Sequence, residues 1–484
     1  MAENPSPSLF VSTYSKLPES LFRLAEPKIV DAPRPIILND RLAEEIGIPS
    51  AWLHSPEALQ ILSGNQPLPN VPRIAMAYAG HQFGNFVPSL GDGRAALIGE
   101  INGYDLHLKG SGRTPFSRGG DGRATLSAML REYIISEAMF GLGIPTTRSL
   151  AVLETGEEVP REKMERGAVL TRVAKSHVRV GTFQYLAARG EEATMRALID
   201  FETARNFTGA PEGPERFIWF LRQVISRQAP LIAKWMCVGF IHGVMNTDNM
   251  SIVGETIDYG PCAFMDAFDL QKTFSSIDHT GRYAWDRQPV VALWNLTRLA
   301  EAMLALFDAD REKAITLAEA ELKNFMPQFE SAFETAMAAK LGFSSVREGD
   351  AEFIALTLQN MADANADFTL FFSTLTDAIK NRDDTKIISF FKDDATAQNW
   401  LKKWQARLTD EVDSLNLMQS ANPIFIPRNH RVEQALAAAN HDDLQPLMRL
   451  LGVLAVPFEN HSGHEELVSS PMAQEEVHQT FCGT

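Results

Sequence analysis

The chain has few cysteines, no long apolar run and no leader pattern. Its three cysteines, Cys237, Cys262 and Cys482, are too few and odd in number for a disulfide framework, which fits a reducing compartment. No run reaches the roughly 18 uninterrupted apolar residues of a membrane span, because Lys234 and His242 interrupt the most apolar stretch. The first residues lack the basic patch and apolar core of a signal peptide. We therefore expect a cytoplasmic protein with no membrane partner.

Basic charge is also scarce. The chain has 61 acidic residues against 45 basic ones, a formal net charge of −16. Nucleic acids reward clustered Lys and Arg, so we expect no nucleic-acid partner. A hydrophobic share of 45% and a length of 484 residues predict a folded globular protein with two or three cores. Arginines that cluster against this acidic background therefore attract notice.

The first part of the chain carries strand and turn signals. Residues 1–70 are rich in Pro and Ser, and we interpret them as an extension that wraps a core. Two apolar runs, Ala95–Ile101 and 104–108, are joined by Asn102-Gly103, which predicts a two-residue hairpin turn. A helix is predicted over 125–140 from its apolar spacing, and a further strand over 169–173.

The second part is mostly helical, with long apolar-periodic segments at 216–240 and 290–307. Residues 242–269 interrupt it, and we expect two short strands there, 251–253 and 256–257, paired as a hairpin. A β-rich part before a helical part predicts an α+β enzyme with two lobes and a cleft between them. The predicted divisions are an extension (1–70), a β-rich lobe (71–185), a helical lobe (186–460) and a tail (461–484).

One motif in the interrupting segment predicts a metal site. His242 and Asn249 have the spacing of His-x-Asp-x-x-x-x-Asn in protein kinases, and Asp258-Tyr-Gly stands for the Asp-Phe-Gly that follows. Oxygen ligands such as Asn249 and Asp258 suit Mg²⁺, which completes its coordination with water and phosphate. Taken singly, either residue is better explained as a turn former. The set favours the metal site.

Lys109 and Glu132 are predicted to form an ion pair. Lys109 ends a strand, where a kinase lysine neutralises nucleotide phosphates and pairs with a helix glutamate. Glu132 lies on the inward face of the predicted helix, and a buried Glu needs a cation. Solvated side chains are the alternative for both residues. Glu137 is the alternative partner if the helical register differs.

Two glycine-rich elements predict a phosphate site. Gly91-Asp-Gly-Arg94 precedes a strand and Gly119-Gly-Asp-Gly-Arg123 precedes the helix. Phosphate approaches the backbone closely at glycine and is attracted by helix N-termini. The arginines that concentrate charge here are Arg94, Arg113, Arg118, Arg123, Arg172 and Arg179. A bound triphosphate would explain them, whereas plain turns and scattered surface arginines are the alternative.

The catalytic base of a kinase is missing from its usual position. Two residues after His242, where kinases have Asp, this chain has Val244, which cannot accept a proton. A carboxylate occurs nearby at Asp248, directly before Asn249. Either the chain is a pseudokinase scaffold, or Asp248 activates the nucleophile from a new position.

These motifs together resemble the selenoprotein O family of pseudokinase-like protein adenylyltransferases. The stretches that carry the resemblance are Tyr78-Ala-Gly-His-Gln-Phe-Gly84, Gly91-Asp-Gly-Arg94, Leu108-Lys-Gly-Ser-Gly-Arg-Thr-Pro-Phe-Ser-Arg118, Asp121-Gly-Arg123, His242-Gly-Val-Met-Asn-Thr-Asp-Asn249, Asp258-Tyr-Gly-Pro261 and Gly281-Arg-Tyr283. The resemblance implies a protein-kinase-like two-lobed fold with an N-terminal extension and additional C-terminal helices. It also implies that ATP binds flipped relative to kinases, so that AMP is transferred to Ser, Thr or Tyr hydroxyls of protein substrates. UMP transfer from UTP is also known in the family.

The resemblance further implies a role for each matching residue. Asp248 would be the proton acceptor, Asn249 and Asp258 would hold Mg²⁺ or Mn²⁺, and Glu132 would pair with Lys109. The nucleotide-binding residues would be Gly91, Gly93, Arg94, Lys109, Asp121, Gly122, Arg172, Arg179 and Asp258.

Family members often end in a redox-active Cys or selenocysteine, a place that Cys482 fits. Its partner is left open: Cys262 is the only nearby candidate, and a bond between them would pin the tail across the active-site mouth as an oxidative-stress switch in redox homeostasis. A tail in which Cys482 has no role is the alternative. For the whole protein, the alternatives to an adenylyltransferase are a catalytically silent nucleotide-binding pseudokinase and a small-molecule kinase.

Overall fold

The computed structural model of the chain describes residues 10–408 and 411–480, and Cys482 lies outside them. The fold is mixed α/β with an antiparallel sheet. The strands are β1 (Phe22–Leu24), β2 (Arg34–Leu38), β3 (Ile74–Met76), β4 (Gly80–Gln82), β5 (Asn85–Val87), β6 (Ala95–Ile101), β7 (Tyr104–Lys109), β8 (Ala124–Thr125), β9 (Arg148–Pro160), β10 (Met164–Ala174), β11 (Phe240–Ile241) and β12 (Ala263–Phe264). The helices are α1 (Asp40–Ile46), α2 (Ser50–Leu53), α3 (Pro56–Leu62), α4 (Leu126–Gly141), α5 (Val180–Ala187), α6 (Glu192–Asn206), α7 (Glu215–Cys237), α8 (Gln288–Phe307), α9 (Arg311–Leu322), α10 (Phe325–Lys340), α11 (Asp350–Asp363), α12 (Phe368–Asn381), α13 (Asp394–Arg407), α14 (Glu411–Ala421), α15 (Asn429–Ala439), α16 (Gln445–Leu454) and α17 (Glu465–Val468).

The main sheet has eight strands in the order β1-β3-β6-β7-β10-β9-β2, with β8 paired beside β10. The predicted hairpin is confirmed as β6 and β7, and both turn residues have positive φ, +47° at Asn102 and +80° at Gly103. The predicted strand 169–173 lies within β10, whereas β9, of 13 residues, was not predicted. The segment before residue 70 supplies β1 and β2, the two end strands in this order.

The two faces of the sheet serve different purposes. Leu106 and Leu108 of β7 pack into the apolar cluster under α1–α3. Because side chains alternate along a strand, His107 and Lys109 point to the opposite face, where α4 packs on β9 and β10. Arg172 of β10 lies directly across from His107 in the register. The polar residues of β7 and β10 therefore share one face.

The predicted helix over 125–140 is confirmed as α4. Thr125 caps its N-terminus by accepting a hydrogen bond from the Ala128 backbone N–H (3.3 Å). Glu132 is only 2% exposed. The side chain of Glu132 therefore points inward, as the helical spacing predicted, and faces the polar face of the sheet.

The predicted hairpin of 251–253 with 256–257 is wrong. Ser251 instead forms an isolated bridge with Arg179, and Thr256 forms one with Thr146. Side chains of α7 also form hydrogen bonds to this segment. The side-chain amide of Gln228, for example, donates to the Ser251 carbonyl (2.6 Å). Distant partners thus replace local pairing, and the strands that do pair around this segment are β11 and β12.

The helical predictions over 216–240 and 290–307 are confirmed as α7 and α8. Within the described residues, one helical stretch, Trp285–Phe307, is long and apolar enough to cross a membrane by length and composition alone. Half of its most apolar window is buried, since α8 packs on α5, α7 and α9. A buried core helix of a globular protein can have the same length and apolar composition.

Candidate active site

A cavity of about 660 Å³ opens between the polar face of the sheet, α4 and the loop over residues 244–261. It brings together the residues that the sequence pattern singled out. The sequence-predicted residues that line it are Gly91, Gly93, Arg94, Lys109, Arg118, Asp121, Gly122, Arg123, Glu132, Arg172, Arg179, Asp248, Asn249 and Asp258. Arg113 lies outside this cavity and lines a neighbouring one with Gly119 and Gly120.

Lys109 and Glu132 form a buried ion pair. The Lys109 Nζ lies 2.5 Å from Glu132 Oε2, and the two side chains are 11% and 2% exposed. Glu137, the alternative partner, instead binds Arg148 through two hydrogen bonds (2.8 and 2.7 Å) away from the cavity. The strand end and the helix are therefore joined at Glu132.

Three cations converge on the carboxylate of Asp258. Arg172 Nη1 lies 2.5 Å and Lys109 Nζ 3.1 Å from Oδ1, while Arg179 Nη1 lies 3.1 Å from Oδ2. Burial raises the pKa of Asp258, but Arg172, Lys109 and Arg179 outweigh it and hold that pKa well below its usual value. Asp258 also has φ +65°, an uncommon backbone conformation for a residue other than glycine. Its ionised carboxylate is fixed within the cavity.

Arg179 contacts both Asp248 and Asp258 of the loop over residues 244–261. Its Nη1 donates to the backbone carbonyl of Asp248 (3.0 Å) as well as to Asp258. Its guanidinium carbon lies 4.4 Å from the centre of the Tyr78 ring. Because Arg179 is only 2% exposed, it supports this loop from within the protein.

Asp248 has the environment of a proton acceptor. Burial raises the pKa of this carboxyl to about 6. Gln82 Nε2 donates to Oδ2 (3.4 Å), whereas the buried Oδ1 has no hydrogen-bond partner among the described residues. A carboxylate with a pKa near neutrality and one unused oxygen is suited to general-base chemistry.

Asn249 and His242 order the loop around Asp258. Asn249 Nδ2 donates to the Val244 carbonyl (2.9 Å). His242 Nε2 lies 3.0 Å from the Ile257 carbonyl, and its ring stacks on Trp235. Within residues 10–408 and 411–480, no group of three or more His, Cys, Asp and Glu side chains is arranged to hold a metal ion.

Two glycines are needed where backbone segments meet at the rim of the cavity. Gly91 has φ +64°, and a Cβ there would lie 2.3 Å from the Phe116 ring. Gly122 has φ +71°, and a Cβ there would lie 2.2 Å from the Gly112 backbone. Asp121, directly before Gly122, accepts hydrogen bonds from the Arg123 N–H and from Arg161.

Several lining residues were not assigned a role from the sequence. Tyr78 and Gln82 fall in the stretch Tyr78 to Gly84, which carried the resemblance but suggested no chemistry. His107 and Asp92 hydrogen-bond beneath the cavity (3.0 Å), and Arg161 reaches Asp121 from a turn between β9 and β10. The alternation of β7 could have revealed His107, since it shares a face with Lys109.

Comparison with known proteins adds the family to this geometry. A family model described as protein adenylyltransferase SelO matches residues 8–455. A relative from Rhodopseudomonas palustris (strain ATCC BAA-98 / CGA009), called protein nucleotidyltransferase YdiU, is 51% identical over 486 residues. Relatives of the same name from Bradyrhizobium sp. (strain ORS 278) and from Methylorubrum extorquens are 50% and 48% identical. Each alignment covers 98% of this chain and 99% of the relative.

The chain belongs to the SelO family. The match covers the sheet, α4 and the loop over residues 244–261 alike, so every element that lines the cavity lies within it. The resemblance inferred from short motifs is thereby confirmed over nearly the whole chain.

Two glutamates on α4 provide a matched test of the SelO site. Glu132→Gln should weaken nucleotide binding by about tenfold or more, because Lys109 would lose the charged partner that holds it at the cavity, and a hydrogen bond to a charged group contributes about 1.5–3 kcal/mol. Glu137→Gln should leave nucleotide affinity within about twofold but lower the stability by about 3 kcal/mol, because the buried Arg148 would keep only the exposed Glu45 as a charged partner. Isothermal titration with ATP and thermal unfolding measure the two effects. Equal loss of ATP affinity in both variants would contradict the assignment of Glu132.

Proposed function

We propose that this chain transfers AMP from ATP to a Ser, Thr or Tyr hydroxyl of a protein substrate. The observation that carries the proposal is Asp248: a buried carboxylate with one oxygen unpartnered among the described residues, lining a cavity rich in cations. Val244 occupies the place of the kinase base, so phosphoryl transfer lacks its usual proton acceptor. The names of the relatives, which include nucleotidyl transfer to protein, support the same reaction.

The charges at the cavity suit each part of this reaction. The acceptor hydroxyl attacks the α-phosphorus, the bond between the α-phosphorus and the bridging oxygen breaks, and pyrophosphate leaves. Asp248 takes the hydroxyl proton. Lys109 and Arg172 stabilise negative charge that develops on the phosphates, as fixed cations in a desolvated site do effectively. Arg94 and Arg179, which also line the cavity, would bind the phosphates that are not transferred.

The donor atoms at the cavity fit Mg²⁺ or Mn²⁺. Asp258 offers a carboxylate, and Asn249, whose amide nitrogen is committed to Val244, offers its amide oxygen. Such oxygen donors suit a hard cation that takes its remaining ligands from phosphate and water. When bound there, the cation would supply charge neutralisation at the phosphates.

We also infer a protein-kinase-like arrangement of two lobes. The pairing of a strand lysine with a helix glutamate, and the Asn249 and Asp258 pair across the cavity, support this interpretation. On this basis the divisions 1–70, 71–185, 186–460 and 461–484 remain our proposal for the domain organisation. A silent pseudokinase would explain the cavity, but it would have no use for the proton acceptor Asp248.

The first test of the function asks which phosphate of labelled ATP is transferred to protein. With ATP labelled at the α-phosphate, wild-type enzyme should label protein, including itself, whereas ATP labelled at the γ-phosphate should not. Asp248→Asn keeps the size of the side chain but cannot accept the proton, so transfer should fall by about 10²–10⁴-fold with ATP affinity little changed. The matched control is Asp269→Asn, an exposed residue outside the cavity. UTP labelled at the α-phosphate, assayed in parallel, tests UMP transfer.

Other outcomes identify the alternatives. Protein labelled only from the γ-phosphate would establish a kinase. ATP binding without transfer of either label would establish a silent pseudokinase. Full activity of Asp248→Asn would remove Asp248 from the role of base.

The metal proposal is tested by removing one donor at a time. ATP binding by the wild type should be strong with MgCl₂ or MnCl₂ and weak with EDTA. In Asp258→Asn and in Asn249→Ala, ATP binding should fall to the EDTA level whether or not the cation is present. Thermal unfolding checks that both variants are folded. Unchanged cation dependence in both variants would rule out these ligands.

We further propose that the thiols of Cys262 and Cys482 form a redox switch. The end of the described chain lies close to Cys262. Thr480 Oγ1 donates a hydrogen bond to the carbonyl of Pro261 (2.5 Å), the residue directly before Cys262. The Thr480 N–H also donates to the Phe274 carbonyl (2.8 Å). Cys482, two residues further on, lies outside the described residues. Exchange with oxidised glutathione would join the two sulfurs and release two molecules of reduced glutathione.

The switch predicts different responses to redox reagents. Oxidised glutathione should lower transfer by the wild type, and dithiothreitol should restore it, because the joined tail would obstruct the cavity mouth. Cys482→Ser should be insensitive to both reagents, and Cys237→Ser, a change buried in α7, should respond as the wild type does. The idea is falsified if wild type and Cys482→Ser respond alike.

A further inference from the structure

Arg172 is held from behind by two histidines that have no assigned role. Its Nε lies 3.3 Å from His177 Nε2, and its Nη2 lies 3.3 Å from His107 Nδ1. The remaining nitrogen, Nη1, is directed at Asp258 (2.5 Å) and Glu132 (3.4 Å). The whole guanidinium is thus fixed, with one side on imidazoles and the other side towards the cavity.

Each histidine is fixed in turn by a carboxylate. His107 Nε2 lies 3.0 Å from Asp92 Oδ2, and His177 Nδ1 lies 3.2 Å from Asp105 Oδ2. A guanidinium only donates hydrogen bonds, so the nitrogen facing Arg172 must be an acceptor and the proton must lie on the nitrogen facing the carboxylate. The two rings are stacked, with centres 4.4 Å apart. Two parallel Asp–His relays therefore end on the same arginine.

The pairing of β7 with β10 determines this arrangement. His107 and Arg172 are directly opposite each other in the antiparallel register of β7 and β10, where cross-strand side chains are close neighbours. Both histidines are fully buried. Two buried polar rings cost folding free energy unless each is hydrogen-bonded, and here each ring nitrogen has a polar partner.

Neutral imidazoles and carboxylates have different effects on the positive charge of the arginine that they bind. A carboxylate placed behind Arg172 would form a salt bridge and offset its charge. An imidazole accepts the hydrogen bond without a charge, so it adds no further anion to Asp258 and Glu132, which already face Arg172. Burial lowers the pKa of His107 and lowers that of His177 well below its usual value, which keeps both rings neutral.

The groups around the two rings are consistent with this neutrality. The cations facing them are Arg172 from β10 and Arg179 at the start of α5, and both disfavour a charged imidazole. The anions are Asp92, from the loop before β6, and Asp105 of β7. Asp105 is itself paired with Arg205 of α6 (2.6 Å).

We propose that His107 and His177 are positioning residues that orient Arg172 towards the phosphates of the nucleotide. This inference rests on the proposed nucleotide-transfer function and names two residues that the function needs. Both histidines hydrogen-bond Arg172, and neither hydrogen-bonds Asp248 or Asp258, so their proposed effect on the phosphates passes through Arg172.

A double-mutant cycle tests the proposal. His177→Leu removes the acceptor, and the KM for ATP should rise by about tenfold, since one hydrogen bond to a charged group is lost. His177→Gln places an amide oxygen near the position of Nε2 and should raise KM by less than about threefold. In an Arg172→Gln background, both changes should have no further effect. In every variant Asp105 keeps two partners, the Arg205 guanidinium and the backbone N–H of residue 177. These remaining hydrogen bonds favour folding of the variants.

The outcomes separate this proposal from the function on which it rests. If the wild type transfers no AMP, the proposed function fails. If the wild type is active but His177→Leu raises KM equally in both backgrounds, the histidine does not act through Arg172. His107→Leu against His107→Asn, which keeps an oxygen near the Nδ1 position, repeats the comparison if His177→Leu does not fold. Failure of rescue in both pairs would also overturn the proposal.

Discussion

The ionised carboxylate of Asp258 is the contact on which the cavity depends. Its three cations come from separate parts of the chain: Lys109 ends β7, Arg172 lies in β10, and Arg179 precedes α5. Removing a partner from a buried ion cluster leaves an uncompensated charge, which costs more than the pairing itself contributes. The sheet, α5 and the loop over residues 244–261 therefore keep their relative positions as long as Asp258 is ionised.

Local periodicity predicted the elements that carry the lysine and the glutamate. The alternation along β7 and the Asn102-Gly103 turn set the strand end at Lys109, and the helical spacing of α4 turned Glu132 inward. These features depend on neighbours within a few residues, which a sequence displays directly. The family motifs then indicated that Asn249 and Asp258 belong to the same site, although no local rule brings them together.

The remaining parts of the site depend on contacts between distant segments. The expected hairpin at 251–257 failed because Ser251 and Thr256 find partners in Arg179 and Thr146, which no short window contains. The register that sets His107 against Arg172 is also invisible to periodicity, since it depends on how β7 and β10 align. Pairing between strands that are far apart in the chain, with β8, α4 and β9 between them, is a tertiary property.

The charge pattern explains how an acidic protein can hold a highly charged anion. With a formal net charge of −16, the surface as a whole repels phosphates, so attraction must come from a local excess of cations. At the cavity, Lys109, Arg172 and Arg179 face Asp258 and Glu132, and the imbalance is positive. Neutral imidazoles behind Arg172 preserve that imbalance, whereas a further carboxylate there would cancel it. Cations fixed in advance need little reorganisation when negative charge develops, which is the condition under which electrostatic stabilisation is most effective.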